Sequence, residues 1–199
     1  MTVCYTVNKG LYINLTNRCS NACEFCIRQN GEGVYGSDSL WLEREPEADE
    51  VIECIKKYDL TQFEELVFCG YGEPTERADV LVAVAKAVKQ MCDISIRINT
   101  NGHGNLINGR DITPDFKGII DVVSVSLNCA NAEDYERICH PRFGIKAYEG
   151  LIEFARLCVP QVKSVVLSVV DTTIPNEDIK RCEETAKSIG AVLRVRPFE

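Results

Sequence analysis

The stretch Ile94–Asn101 reads ISIRINTN and alternates between apolar and polar side chains as far as Asn99. Successive side chains of a β-strand lie on opposite faces, so Ile94, Ile96 and Ile98 share one face and the polar residues share the other. A parallel strand covered by helices on both faces would be apolar throughout. The stretch therefore predicts a strand with helices on one face and a polar space on the other.

The same polar face recurs on at least three other strand-like runs. It consists of Tyr12, Asn14 and Thr16 in the first run, Ser124, Ser126 and Asn128 in a central run, and Arg194 and Arg196 in the last. One polar surface shared by several strands is expected for the lumen of a barrel whose helices lie outside. An α+β sheet with one solvated face is the alternative interpretation, but such a face usually carries more Lys, Glu and Thr than Ser and Asn.

Six runs rich in Val, Ile and Leu are predicted as strands: Leu11–Thr16, Leu66–Cys69, Ile94–Asn99, Val122–Leu127, Val165–Val170 and Val192–Val195. Helical patterns lie between them at Asp49–Tyr58, Asp79–Met91, Asn105–Phe116 (the weakest), Ala132–Cys139, Tyr148–Cys158 and Asn176–Ile189, and Gly31–Ser39 is predicted as a loop. This alternation predicts parallel strands joined by helical crossovers. A complete eight-stranded barrel needs about 250 residues. We therefore expect one α/β domain over residues 1–199, a partial (β/α)6 TIM-like barrel with outer helices.

Composition limits the environment and the partners. The 199 residues include 22 Lys+Arg and 30 Asp+Glu, which gives a net charge of −8, and eleven cysteines. No apolar run approaches the roughly 18 residues of a membrane-spanning helix, and no signal peptide is visible, so we expect a cytoplasmic protein without membrane contact. The acidic balance argues against a broad nucleic-acid-binding surface. An odd number of cysteines in a reducing compartment argues against a disulfide framework.

A cluster of three cysteines follows directly after the first predicted strand. The segment Asn17–Cys26 reads NRCSNACEFC, so Cys19, Cys23 and Cys26 have the spacing C-x3-C-x2-C. A structural zinc site needs four ligands, usually in two distant pairs, and no other two cysteines lie within four residues of each other. Three soft thiolates therefore favour an iron–sulfur cluster that leaves one iron without a protein ligand. A zinc site completed by a distant residue is the alternative.

The loop C-x3-C-x-Φ-C, with Phe25 in the aromatic position, resembles that of the radical S-adenosylmethionine (radical SAM) superfamily, and the resemblance covers essentially the whole chain. The core fold of that family is a partial (β/α)6 barrel. The resemblance implies that Cys19, Cys23 and Cys26 hold a [4Fe–4S] cluster whose fourth iron is chelated by SAM. An electron from the cluster would cleave SAM to methionine and a 5′-deoxyadenosyl radical, which abstracts a hydrogen atom from the substrate.

Other motifs fit the resemblance. The segment Gly70–Thr75 reads GYGEPT and is similar to the family's GGEP segment, which binds the amino group of SAM, although Tyr71 replaces one glycine. Asn99–Gly102 resembles the TNG motif at the end of the third strand.

Arg97, Arg194 and Arg196 are expected to face the lumen, where they could pair with the SAM carboxylate or with an anionic substrate group. The residues expected to contact SAM are Phe25, Gly70, Gly72, Glu73, Pro74, Arg97, Asn99, Ser126, Asn128 and Val169, with Leu167 as an alternative to Val169.

The order of the motifs is most similar to the small TatD-associated radical SAM proteins. That resemblance implies a TatD-type hydrolase in the same pathway and an electron donor such as flavodoxin or ferredoxin, but it names no reaction. The substrate is expected to be a small molecule or a peptide. No catalytic side chain is predicted, and Cys69, Cys129, Cys139, His103 and His140 are left without a role.

Three alternatives are open. The small size also resembles glycyl-radical-enzyme activases and 7-carboxy-7-deazaguanine synthase. The synthase usually has a magnesium-binding Thr after the last cluster cysteine, where this chain has Ile27. The third alternative is not an enzyme: it is an iron–sulfur or zinc protein that acts in electron transfer or binding. Such a protein would not need the Gly72–Glu73–Pro74 motif.

Replacing Cys19, Cys23 or Cys26 by Ala should abolish cluster binding, because each is expected to supply one of three protein ligands. The measurement is the iron and sulfide content, with the absorption spectrum, after anaerobic reconstitution. Cys92→Ala is the control, since Cys92 is expected only to pack. A full cluster in any of the three variants would contradict the ligand assignment.

Overall fold

The structure is a computed structural model that describes residues 1–29, 36–171 and 174–197. Positions 31–35 of the predicted loop Gly31–Ser39 lie outside the described residues. Within them, the strands are β1 (Cys4–Val7), β2 (Gly10–Ile13), β3 (Glu65–Phe68), β4 (Ser95–Thr100), β5 (Val122–Ser126), β6 (Ser164–Val170) and β7 (Val192–Arg196). The α-helices are α1 (Ala48–Ile55), α2 (Ala78–Met91), α3 (Gly104–Asn108), α4 (Ala132–Cys139), α5 (Lys146–Cys158) and α6 (Asn176–Ile189). Short 3-10 helices lie at Ile27–Gln29, Leu60–Gln62, Pro74–Arg77 and Thr113–Phe116.

The sheet has the strand order of the chain, from β1 to β7. β1 and β2 are antiparallel, and every later pair is parallel. Crossover connections between parallel strands are right-handed, so connections that all advance in one direction place every helix on the same face of the sheet. The result is the predicted α/β partial barrel with outer helices rather than a sheet covered on both sides.

The prediction of six strands missed β1. This strand has only four residues and joins β2 through the turn Asn8–Lys9, in which Asn8 takes a left-handed φ of 51°. The predicted helix Asn105–Phe116 is also not one element. Gly109 has a φ of 63° and ends α3 at Asn108, and a separate 3-10 helix begins at Thr113 next to Pro114. Both residues are typical helix-ending residues.

The core lies between the outer face of the sheet and the helices. In β4, Ile96 and Ile98 are completely buried there, while Ser95, Arg97 and Asn99 are half-buried on the lumen face. β5 repeats this alternation, with Val123 and Val125 in the core. The alternation read from the sequence thus separates an apolar outer face from a polar lumen. Among the described residues, no helix is long and apolar enough to cross a membrane.

Candidate metal and cofactor site

The cysteine loop is the segment 14–29, which follows β2 at the carboxyl ends of the parallel strands. Cys19, Cys23 and Cys26 all lie on it and are all half-buried. Active sites of parallel barrels form at this end, because the loops after the strands converge there. The segments that follow β3 and β4 contact the cysteine loop directly, and so does helix α4, which follows β5. Four strands therefore contribute to one site.

Two glycines allow the segment after β3 to approach the cysteine loop. A Cβ atom at Gly72 would lie 2.2 Å from the Thr16 carbonyl oxygen and 2.6 Å from the Arg18 carbonyl oxygen. A Cβ atom at Gly70 would lie 2.1 Å from Oδ1 of Asn14. No side chain fits such spaces, so only glycine is compatible with this packing. The glycine motif therefore positions the cysteine loop against β3.

Glu73 connects the carboxyl ends of β3 and β4. Its Oε1 accepts hydrogen bonds from the Thr75 backbone N–H (3.0 Å), the Thr75 hydroxyl (2.7 Å) and the Thr100 hydroxyl (2.6 Å). Its Oε2 accepts from the Asn101 backbone N–H at 2.6 Å. A carboxylate offers about four acceptor positions, two on each oxygen, so Oε1 is saturated within the protein, whereas Oε2 accepts only one hydrogen bond. The carboxylate is therefore used mainly to hold the loops together.

The electrostatics of Glu73 follow from its position. Burial raises the pKa of its carboxyl group, and the hydrogen bonds from Thr100, Asn101 and Thr75 oppose that shift. The two backbone N–H groups can only donate, so they favour the ionised form of the carboxyl group. Hydrogen bonds thus offset part of the cost of burying this group.

A buried hydrogen-bond network supports the cysteine loop from behind. Nδ2 of Asn101 donates to the Ser20 hydroxyl at 2.8 Å, and that hydroxyl lies 3.0 Å from Nδ1 of His103. Nε2 of His103 is 3.2 Å from the Tyr135 hydroxyl, which accepts from Nδ2 of Asn21 at 2.9 Å. The network joins the cysteine loop, the segment after β4 and helix α4. It fixes Ser20 and Asn21, the two residues that follow Cys19.

His103 is neutral in this network. Burial lowers its pKa from 6.5 to about 4, and the nearby Arg142 charge lowers it further, against one hydrogen bond that raises it. His103 thus acts as a structural hydrogen-bonding residue. His140, in contrast, is exposed and lies 3.3 Å from Glu24.

Helix α4 holds the cysteine loop through its last carbonyl groups. The backbone N–H of Ala22 donates to the Cys139 carbonyl at 3.0 Å, and the N–H of Glu24 donates to the Ile138 carbonyl at 3.1 Å. The terminal carbonyls of a helix have no partner within the helix. The cysteine loop supplies those partners and becomes attached to the helix.

The donor set of the loop fits a thiolate-bound cluster. Three thiols lie on one loop, and N–H groups surround Cys19: the Asn21 backbone N–H is 3.5 Å and Nδ2 of Asn101 is 3.7 Å from its Sγ. Such N–H donors stabilise negatively charged sulfur. Within the described residues, no three His, Cys, Asp or Glu side chains are already gathered around one point. Instead, Cys23 forms a hydrogen bond with Cys139, which lowers the pKa of the Cys23 thiol.

The other predicted SAM contacts divide into two groups. Asn99, Ser126 and Asn128 lie on the lumen side near the cysteine loop, and Oδ1 of both asparagines is buried without a hydrogen-bond partner. Pro74 is buried at the start of its 3-10 helix, and Phe25 packs partly buried on the core.

Arg97 and Val169 lie apart from that group. Arg97 pairs with Glu65 at the amino end of β3, at 2.5 Å, in the half of the lumen away from the cysteine loop. Val169 is completely buried in the core, as is Leu167. The period of two in β6 places Val166, Ser168 and Val170 on the lumen side instead.

The sequence did not single out Ser20, Asn21, Tyr135 or the contact of Cys139 with Cys23. Ser20 and Asn21 lie between Cys19 and Cys23, and the cysteine spacing indicates a role only for the thiols. Tyr135 is an ordinary buried aromatic residue of α4 in the sequence. The only available signal was the proximity of Ser20 and Asn21 to Cys19, which would not have identified their distant partners.

Comparison with known proteins identifies the family and agrees with the fold. A family model described as the radical SAM superfamily matches residues 13–189. The chain is 26% identical, over 191 residues, to a probable GTP 3′,8-cyclase of Thermococcus kodakarensis, covering 96% of this chain and 57% of that protein. The structure is similar to Streptococcus suis SuiB bound to S-adenosylmethionine (TM-score 0.70, 16% identity, 96% of this chain and 41% of that chain). It is also similar to methylornithine synthase, with a TM-score of 0.66 and 16% identity, covering 96% of this chain and 53% of that chain.

The fold and the cysteine loop define a barrel protein of the iron–sulfur class. The chain belongs to the radical SAM superfamily, whose members use a [4Fe–4S] cluster and SAM. It spans somewhat more than half the length of the probable cyclase that it matches.

Gly72→Ala should prevent seating of the cysteine loop, because the new Cβ would meet backbone carbonyls that cannot rotate away. We expect cluster content after reconstitution to fall at least severalfold. Gly150→Ala is the control, since its Cβ would meet the flexible end of Leu106, with Cδ1 at 2.5 Å. Equal cluster content in the two variants would refute the packing role of Gly72.

His103 should make the protein sensitive to acid. The unfolded chain binds a proton near pH 6.5, whereas the folded chain binds it only near pH 4. Stability is therefore lost as the pH falls through this window, by about 2 kcal/mol between pH 7 and pH 5. Denaturant unfolding of the reconstituted protein at both pH values measures the loss.

His103→Gln removes the titrating group and should reduce that loss by a similar amount, even though the variant loses network hydrogen bonds at both pH values. A variant with the same pH dependence as the unaltered protein would contradict the assignment.

Proposed function

We propose that this chain is a radical SAM enzyme, which uses a [4Fe–4S] cluster on Cys19, Cys23 and Cys26 to cleave SAM reductively. The resulting 5′-deoxyadenosyl radical would abstract a hydrogen atom from a substrate in the lumen. The observation that carries the proposal is the contact of the Gly70–Glu73 segment with the cysteine loop. The cluster supplies the electron, and the protein binds and orients SAM and excludes competing reactions.

The segment after β3 would bind the amino group of SAM. The Glu73 carboxylate already accepts four hydrogen bonds, from Thr75, Thr100 and Asn101. The backbone carbonyls next to Gly70 and Gly72 are therefore the proposed acceptors for the ammonium group. Glu73 would act by fixing the backbone that carries these carbonyls.

The unpartnered asparagine oxygens support a polar ligand in the lumen. A buried acceptor without a hydrogen bond is costly, and Oδ1 of Asn99 and Oδ1 of Asn128 are two such acceptors. Asn128 has a left-handed φ of 60°, and its Nδ2 is 3.7 Å from Sγ of Cys139. The hydroxyl or amino groups of SAM would satisfy both oxygens. Ser126 and Phe25 are proposed as further contacts.

Within the superfamily, we place the chain with the small TatD-associated proteins, on the motif order NRCSNACEFC and GYGEPT. A TatD-type hydrolase would then act in the same pathway, and flavodoxin or ferredoxin would deliver the electron. The protein would work in the cytoplasm. The substrate is a small molecule or a peptide.

Anaerobically reconstituted protein with a chemical reductant should convert SAM to 5′-deoxyadenosine, measured by liquid chromatography and mass spectrometry. Cys19→Ala should form none and is the negative control. Absence of cleavage in protein with a full cluster and bound SAM, also in the presence of a cell extract as a source of substrate, would refute the proposed function.

The lumen asparagines have a separate test. Asn99→Ala and Asn128→Gly each remove an acceptor without backbone strain, and loss of one hydrogen bond should weaken SAM binding severalfold to about tenfold. Binding is measured by equilibrium dialysis, which needs no turnover. Asn176→Ala, at the exposed start of α6, should bind SAM normally.

A further inference from the structure

We propose that Asn101, in the segment after β4, is a positioning residue that raises the reduction potential of the cluster by directing an amide N–H group at Sγ of Cys19. The proposal rests on the proposed function only in placing a [4Fe–4S] cluster on Cys19, Cys23 and Cys26. The position of the amide itself follows from its contacts in the structure.

The orientation of the Asn101 amide is determined by its three partners. Its Oδ1 accepts a hydrogen bond from the His103 backbone N–H at 2.9 Å. A backbone N–H can only donate, so the oxygen end of the amide must face His103. The nitrogen end then faces the cysteine loop, where the Ser20 hydroxyl is 2.8 Å and Sγ of Cys19 is 3.7 Å from Nδ2. An amide nitrogen carries two N–H donors, one for each of these partners.

The backbone of Asn101 is held independently of the side chain. Its N–H donates to Oε2 of Glu73 at 2.6 Å, and the Thr100 hydroxyl donates to Oε1 of the same carboxylate at 2.6 Å. Only 8% of Asn101 is exposed. Because the contact with Glu73 uses the backbone, a substitution at position 101 removes the amide but keeps the buried carboxylate in its place.

An N–H donor beside a cluster sulfur stabilises the reduced cluster more than the oxidised one. Reduction adds one negative charge, and the coordinating sulfurs carry part of it. Hydrogen bonds to the sulfurs are among the factors that set the potential of an iron–sulfur cluster. A buried donor acts with little screening by water, which strengthens its electrostatic effect. The Asn101 amide should therefore make the cluster easier to reduce.

Cys19 receives N–H groups from two different parts of the chain. The Asn21 backbone N–H, 3.5 Å from Sγ, belongs to the cysteine loop itself. The Asn101 amide comes from the segment after β4, so its position depends on the packing of that segment against the loop. A higher potential allows a weaker electron donor to reduce the cluster, but it also makes the reduced cluster a weaker reductant of SAM. Asn101 would set the balance between these two requirements.

The contact with Ser20 allows loop support to be separated from an effect on the potential. The Ser20 hydroxyl lies 3.0 Å from Nδ1 of His103 and also accepts from Asn101. Ser20→Ala removes both contacts but keeps the Asn101 amide beside Cys19. Asn101→Leu removes the contact with Ser20 and also the N–H group beside Cys19, while a side chain of similar size excludes water. The two variants therefore differ in the donor to sulfur.

The test is an EPR-monitored redox titration of the reconstituted cluster without SAM. Asn101→Leu should lower the reduction potential, so that the ratio of reduced to oxidised cluster at a fixed applied potential falls about threefold to tenfold; tenfold corresponds to about 59 mV for one electron. Asn101→Ser is a second variant, whose hydroxyl can still accept from the His103 N–H, and it should shift the potential in the same direction. Ser20→Ala should keep the ratio within about twofold.

An unchanged potential in both Asn101 variants, or an equal shift in Ser20→Ala, would overturn the proposal. A second measurement uses the unaltered sequence and does not depend on the folding of a variant. Protein labelled with ¹⁵N only in asparagine side-chain amides should show a ¹⁵N hyperfine coupling to the reduced cluster in pulsed EPR, and part of it should disappear in Asn101→Ser. Absence of any such coupling would also overturn the proposal.

The outcomes for the proposed function are distinct, because neither measurement needs turnover. A cluster with the expected shifts that never cleaves SAM would refute the proposed function and leave the role of Asn101 supported. Cleavage of SAM by a cluster whose potential does not respond to Asn101 would refute only the role of Asn101.

Discussion

The Glu73 carboxylate is the interaction on which the arrangement of the site depends. A buried carboxylate is tolerated only when its hydrogen bonds are made, and here the donors come from the segment after β3 and from the end of β4. The same segment approaches the cysteine loop through Gly72, and the backbone N–H of Glu73 donates to the Arg18 carbonyl at 2.8 Å. The side chain and the backbone of one residue thereby set the relative positions of three loops.

The polar residues of the site fall into two groups: those that hold the loops in place and those that have free atoms for a ligand. Glu73, His103 and Tyr135 are buried and paired with one another or with the loops, so they hold backbone in place. Asn99, Asn128, Arg97 and Arg196 each keep an unpaired side-chain atom. Buried polar groups whose hydrogen bonds are all made stabilise one geometry, whereas those with free donors or acceptors mark where ligands are expected to bind.

Much of the fold follows from local sequence patterns. The alternation in Ile94–Asn101 and in β5 separates core from lumen, and the element order fixes a parallel sheet with helices on one face. β1 reads CYTV and has only one of the Val, Ile and Leu residues that mark the other strands, which is why the pattern missed it. The helix predicted over Asn105–Phe116 is too long because Gly109 and Pro114 interrupt it.

The candidate site was less accessible to prediction. The cysteine spacing and the Gly72–Glu73 motif are local signals, and they identified the loop. The partners of Ser20 and Asn21 lie 83 and 114 positions away in the chain, and nothing in the sequence links them. In the predicted strand Val165–Val170, five of the six residues are apolar, so the sequence does not show which of them face the lumen. The structure buries both Val169 and its alternative Leu167 in the core.

The bonds from Ala22 and Glu24 to the last carbonyls of α4 have a consequence for folding cooperativity. The cysteine loop completes the end of the helix, so the loop cannot detach without leaving those carbonyls unpaired. Loop and helix should therefore open as a single unit, with similar hydrogen-exchange protection. Anything that binds the folded loop alone will also slow exchange in α4, because binding to one part of a cooperative unit stabilises all of it.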